Sequence, residues 1–160
     1  MQAEPQKEHA WLEQLVGNWA SECEFSMTPD EPPVTIKGKE SVRSLGGLWT
    51  IGDGEGDMPT GGVGRTVMTL GYDPQKGTYI GTFVGSMMTH LWNYTSGSVD
   101  AAGRVLTLDA EGPNMSGDGT AKYKDAIEFV SKDHRTLTSR IQGEDGAWTE
   151  IMTVHYRRTG

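Results

Sequence analysis

Met88, His90, Trp92 and Tyr94 occupy every second position of Met88-Thr89-His90-Leu91-Trp92-Asn93-Tyr94. Alternate residues of a β-strand share a face, so this spacing predicts one face carrying a thioether, an imidazole, an indole and a phenol. Turned inward, such a face is the wall of a small-molecule pocket, mostly apolar with a few hydrogen-bonding tips. Turned outward, it is an aromatic patch of the kind that meets a partner or a second copy. Fully packed, it is simply core with a hydrogen-bonded histidine. In the preceding segment Tyr79, Gly81, Phe83 and Gly85 share a face, and glycines beside aromatic rings leave room for a neighbouring ring or a ligand. The candidate ligand-binding residues are therefore His90, Trp92, Tyr94, Met88 and Phe83, with Arg140 added as a group that could orient a polar head.

Charge within the strands is the second signal. Asp125 shares a face with Tyr123, Ile127 and Phe129, and Glu150 alternates in phase with Trp148, Met152, Val154 and Tyr156. Arg140 lies opposite Leu137, Ser139 and Ile141. A charge on an inward face needs a partner; a solvent-facing ion pair is the more common cause. An enzymatic alternative uses the same cavity for acid–base work, with His90 and either Asp125 or Glu150, but no catalytic residue is assigned. Gly85-Ser86-Met87 does not match a nucleophile elbow. Cys23, in phase with Trp19 and Phe25, reads as a buried, inert thiol.

No metal is expected. The histidines His9, His90, His134 and His155 are far apart, and no H-x-H, H-E-x-x-H or C-x-x-C pair exists. Asp53, Glu55 and Asp57 alternate as in a calcium loop, but Met58 and Gly64 stand where the glycine and the bidentate acid belong; the segment reads as solvated loop. The cofactor is unassigned, with haem on His155 or His90 as the runner-up.

These residues must be held by strands. Glycine occurs 22 times, recurring between short alternating runs, which is the pattern of many strands joined by tight turns. Lys7 to Val16 is the best helix, ended by Gly17. Strands are expected over 19–27, 34–43, 48–51, 65–72, 78–84, 87–95, 105–110, 121–130, 136–142 and 148–157, with 28–33 a turn and 52–64 the longest irregular stretch. No β–helix–β alternation appears. The expected fold is all-β: an antiparallel up-and-down barrel of about 8–10 strands with a short N-terminal helix. It forms one domain over 1–160, with 1–6 a flexible N-terminus. A barrel of this size holds one small ligand.

Composition excludes some partners. The formal charge is −8 and the basic residues are scattered, which argues against nucleic acid and against an anionic membrane surface. No apolar run reaches the roughly 18 residues of a membrane span. The polar N-terminus lacks the features of a secretory signal, and the single cysteine allows no internal disulfide, so a cytoplasmic protein is expected.

The opening Leu15-Val16-Gly17-Asn18-Trp19 is similar to that of lipocalin-type calycins, where the tryptophan plugs one end of the barrel. A longer set follows: Gly71-Tyr72-Asp73, Gly81, Gly85-Ser86-Met87-Met88, Leu91-Trp92, Leu106-Thr107-Leu108, Glu111-Gly112-Pro113, Tyr123-Lys124-Asp125, Glu128, Asp145-Gly146 and Tyr156-Arg157-Arg158. Together these resemble the family DUF1579, small bacterial proteins of unknown function. The resemblance implies a calycin-like barrel and a bacterial source, and brings no activity, catalytic residue or ligand.

Three readings stay open. The preferred one is a non-enzymatic barrel that binds a small, largely apolar molecule. The second is the enzyme above. The third is a barrel filled by its own side chains, with eight methionines and five tryptophans available, acting as a structural or interaction module through a homodimer.

Overall fold

A computed structural model describes residues 2–25, 30 and 32–160. After one short helix, α1 (Lys7–Glu13), the chain is a meander of β-strands. These are β1 (Gly17–Phe25), β2 (Val34–Leu45), β3 (Trp49–Asp57), β4 (Val63–Asp73), β5 (Thr78–Gly85), β6 (Trp92–Tyr94), β7 (Ser96–Val99), β8 (Val105–Pro113), β9 (Thr120–Ser131), β10 (His134–Gln142) and β11 (Trp148–Arg158). All pairings are antiparallel, in the order β6-β5-β4-β3-β2-β1-β11-β10-β9-β8-β7.

The sheet nearly closes through a strand that changes partner. β6 pairs with β5, and β7, one residue later, pairs with β8. At the switch the Thr95 amide donates to the Asp109 carbonyl (3.2 Å). The Thr78 hydroxyl bridges the seam, accepting from the Gly97 amide (2.8 Å) and lying 3.1 Å from the Gly97 carbonyl. Counted as one stave, β6 and β7 reduce the eleven strands to ten around the barrel, an up-and-down arrangement that removes exposed sheet edges.

One end is sealed. Leu12 and Leu15 enter the barrel beside Trp19, Leu70, Leu106 and Ile127, all almost fully buried. The helix, too short to stand alone, is clamped from several sides. Tyr79 Oη donates to the Glu8 carbonyl (3.0 Å) and Trp11 Nε1 to the Gly103 carbonyl (2.8 Å). His9 Nδ1 accepts from the Gln6 amide (2.9 Å), which leaves Nε2 as the donor to the Tyr72 carbonyl (3.1 Å). The helix ends at Glu13, earlier than its apolar spacing predicts, and Gly17 opens β1 instead of capping the helix.

Two further expectations are corrected. The stretch 52–64 is not irregular: Gly52, Gly54 and Gly56 face inward in β3 while Asp53, Glu55 and Asp57 alternate outward, and β4 already begins at Val63. The glycines permit tight coiling, since a Cβ at Gly38 would stand 2.4 Å from the Glu55 carbonyl and one at Gly54 2.4 Å from Thr66 Oγ1. Conversely, 87–91 is not strand. A turn places the Met88 amide on the Gly85 carbonyl (3.2 Å), and pairing resumes only at Trp92. The 28–33 turn, and Met27 of the first expected strand, fall partly or wholly outside the described residues. No helix is long and apolar enough to cross a membrane.

Candidate functional site

Alternation along the paired strands sends Phe83, Trp92, Tyr94, Tyr123, Asp125, Ser139, Met152 and Tyr156 to the inside of the barrel. Among them stands a polar group of three. Tyr94 Oη donates to Asp125 Oδ2 (2.5 Å) and Ser139 Oγ to Asp125 Oδ1 (2.6 Å). Burial pushes the Asp125 carboxyl above its ordinary range, against the two hydrogen bonds that favour the charged form. It pushes the Tyr94 phenol well up, with the nearby Asp125 charge adding to the effect.

This sets a sign for pH dependence. A carboxyl whose folded pKa exceeds its unfolded one binds more protons in the native state. Stability then falls as pH rises from the unfolded value through the folded one. Asp125→Asn removes that cost, and its amide oxygen still accepts from Tyr94. The variant is expected to gain on the order of 1 kcal/mol at pH 7. The difference should close below about pH 4, where the wild-type acid is neutral in both states. Urea unfolding of both proteins at the two pH values reads this directly; a wild type that loses stability on acidification through this window relative to the Asn variant contradicts it.

Deeper in the barrel, Glu40 and Arg135 form a buried ion pair. The Arg135 guanidinium also lies over the Trp19 ring (4.5 Å) and the Tyr156 ring (4.0 Å). Tyr156 is half-buried, and burial, with Glu40 adding, raises its phenol above the ordinary value. Among the described residues its hydroxyl has no hydrogen-bond partner, and the residue keeps accessible surface.

Among the described residues the wall has a gap: β1 pairs with β11 as far as Cys23 and Val154, and beyond that point the first residues of β11 pair with β10 alone. A cleft of about 360 Å³ opens there on the outer face, lined by Glu22, Glu24, Glu150 and His155, with the inward-phase Cys23 and Met152 at its floor. Met152, although inward-facing, is 38% exposed, whereas Leu12, Leu15, Trp19, Tyr79, Leu106, Ile127 and Phe129 at the helix end are all 0–8% exposed. Met152, Ser139 and Asp125 are register partners on three successive strands, so the cleft lies about 10 Å from Asp125, two interstrand spacings.

The residues singled out by spacing divide into three groups. Phe83, Trp92 and Tyr94 come together inside: Phe83 and Trp92 are register partners, as are Gly81 and Tyr94. Met88 and His90 reach the same place from a loop. Trp92 Nε1 donates to the Met88 sulfur (3.2 Å), and His90 packs edge-on against Trp92 at 4.7 Å between centroids, its Nε2 buried without a partner. Trp92 also covers Gly112, where a Cβ would stand 2.3 Å from the ring, and packs edge-on against Tyr123.

Arg140 is a correction. It faces outward with Glu150, 3.7 Å away, and does not line the lumen. A bulge between Ser139 and Arg140 shifts the register, so Glu150 also leaves the inward phase of Met152. His155, the haem alternative, lies on the outer face with its Nδ1 3.0 Å from His134 Nε2. Cys23 is half-buried at the cleft, its thiol pushed up by burial. Trp148 is outside under Lys124, and Trp49 lies across Gly71. Glu40, Arg135 and Tyr156 were not selected by spacing as site residues. Glu40 is flanked by Lys39 and Ser41 and reads as surface, and Arg135 falls between the strands expected over 121–130 and 136–142.

A barrel of antiparallel strands, closed by a helix at one end and carrying a polar centre inside, has a calycin-like architecture. The family model of DUF1579, described as a protein of unknown function, matches residues 4–158. The chain belongs to that family. No curated protein matches it in sequence. Among solved structures it is similar to Rv2717c from M. tuberculosis, with a TM-score of 0.61 and 11% identity over 98% of this chain and 100% of that one. It is also similar to the S-type phycobiliprotein lyase CPES from Guillardia theta, with a TM-score of 0.56 and 16% identity over 96% and 93% of the two chains. At these identities the likeness is one of fold.

Proposed function

We propose that the protein binds a small, largely apolar molecule inside the barrel, entering by the cleft between β1 and β11. The observation that carries this reading is the gap in the wall, where an inward-facing side chain, Met152, stays 38% exposed while the opposite end is sealed. Phe83, Trp92 and Tyr123 supply the apolar body of the site, and Tyr94, Ser139 and Asp125 its few polar tips, the usual division in a small-ligand pocket. The phycobiliprotein lyase among the structural neighbours makes a lumen site in such a barrel reasonable.

The acid–base alternative has less support. Asp125 is hydrogen-bonded by Tyr94 and Ser139, not by His90, and Glu150 is outside.

Titration with a neutral apolar fluorophore such as N-phenyl-1-naphthylamine tests the reading. One saturable site is expected. Met152→Trp, which places a larger ring in the cleft, is expected to weaken binding at least tenfold, about 1.4 kcal/mol. Val84→Trp, on the outer face, serves as the control. Equal affinity in the two variants would place the dye outside the barrel and remove the reading.

A further inference from the structure

We infer that the ligand of this lumen carries a protonated amine, with Asp125 as its counter-ion. The inference rests on the lumen-binding reading above and specifies the ligand's chemistry.

The inward charges do not balance. Arg135 is committed to Glu40. Asp125 receives two hydroxyl donors, Tyr94 and Ser139, but none of the ion pairs among the described residues reaches it. Its nearest polar neighbours are Tyr94 and Ser139, with the Tyr156 phenol close by; the Glu40–Arg135 pair and the Cys23 thiol lie beyond, around Tyr156. One half-buried carboxylate is thus left without a cation. Withdrawing an unpaired charge from water is costly, and two neutral donors on two oxygens leave lone pairs free for a third. A ligand ammonium would meet both needs. A ligand carboxylate would add a second uncompensated negative charge.

The surroundings favour the same sign. Tyr94, Trp92, Phe83, Tyr123 and Tyr156 all point inward, and aromatic faces attract cations. The cleft is bordered by Glu22, Glu24 and Glu150. Glu22 and Glu150 have exposed basic neighbours in Lys37 and Arg140. With a chain charge of −8, the approach is nevertheless electrostatically suited to a cation.

The register places Asp125 two strands from Met152, about 10 Å, so a chain of several carbons can span from the cleft to the carboxylate. Octylamine, octanol and octanoate are matched probes that differ in the head alone. Calorimetric titration at pH 7 is expected to show octylamine bound at least tenfold more tightly than octanol, with octanoate weakest. In Asp125→Asn the ratio of octylamine to octanol affinity should fall to about one. In the wild type that ratio should also fall as pH drops and Asp125 takes up its proton.

Equal binding of octylamine and octanol, or a preference for octanoate, would overturn the inference and leave the lumen reading standing. An amine preference that survives Asp125→Asn would assign it to the acidic surface and equally overturn the inference. Failure of all three probes to bind saturably would overturn both. A circular dichroism melt of the variant shows whether it is folded, and Ser139→Ala, which withdraws one donor from the carboxylate and keeps the charge, is expected to retain the amine preference.

Discussion

Arg135→Met is expected to lower stability by about 3–5 kcal/mol, because it strands the Glu40 carboxylate in the interior. Arg135 is 3% exposed and its partner carboxylate nearly as enclosed. The guanidinium is also the filling between Trp19 and Tyr156, so its loss removes packing as well as charge. Methionine restores much of the volume, which isolates the electrostatic part. The double variant Glu40→Leu/Arg135→Met should recover most of the loss, since replacing a whole buried ion pair by apolar groups is often neutral or stabilising. Urea unfolding of the wild type, both single variants and the double closes the cycle. A single-variant cost under about 1 kcal/mol, the range of an exposed pair, would show that water reaches this ion pair.

The strand-rich fold was legible because glycine punctuation and period-two alternation act locally. Trp19, Phe83, Trp92 and Tyr94 could be assigned a face within their own segments. What escaped the sequence depends on registry between distant segments. Glu40 and Arg135 are 95 residues apart, and no local pattern marks either. Arg140 is outward by the plain alternation of β10, opposite Leu137, Ser139 and Ile141, whereas the bulge that leaves Ile151 unpaired turned Glu150 to the outside, because a one-residue shift exchanges the two faces of a strand. Gly52-Asp53-Gly54-Glu55-Gly56-Asp57 read as loop by composition, although glycine at every second position is itself a strand period with a bare inner face. The reverse error occurred at 87–91. There the alternation through Met88 and His90 continued that of Trp92 and Tyr94, but β5 ends at Gly85 and leaves those residues no partner. Loop residues can still reach a lumen, which is why Met88 and His90 meet Trp92 without being in a strand.

Trp19→Ala is expected to cost about 3–5 kcal/mol, the usual range for a buried large aromatic. The indole is 1% exposed, and its Nε1 donates to the Leu15 carbonyl (2.8 Å) at the exit of α1. Two guanidiniums lie against its ring, Arg135 at 4.5 Å and Arg158 at 4.2 Å. Arg158 in turn donates to the carbonyls of Val16 (2.8 Å) and Gln14 (3.0 Å) and to Asp133 (3.1 Å). The ring thus joins the helix lid, the last strand and the buried ion pair. In a chain of 160 residues this loss lowers the melting temperature by roughly 10 °C. Trp19→Phe should cost less, because it keeps an aromatic face for both arginines and forfeits the indole hydrogen bond and part of the volume. If the alanine and phenylalanine variants melted together, the hydrogen bond to Leu15 would be what holds the lid. If phenylalanine restored most of the loss, the stacked guanidiniums and the filled end of the barrel would be, and the sealed end would be maintained by packing independently of the cleft on the other side.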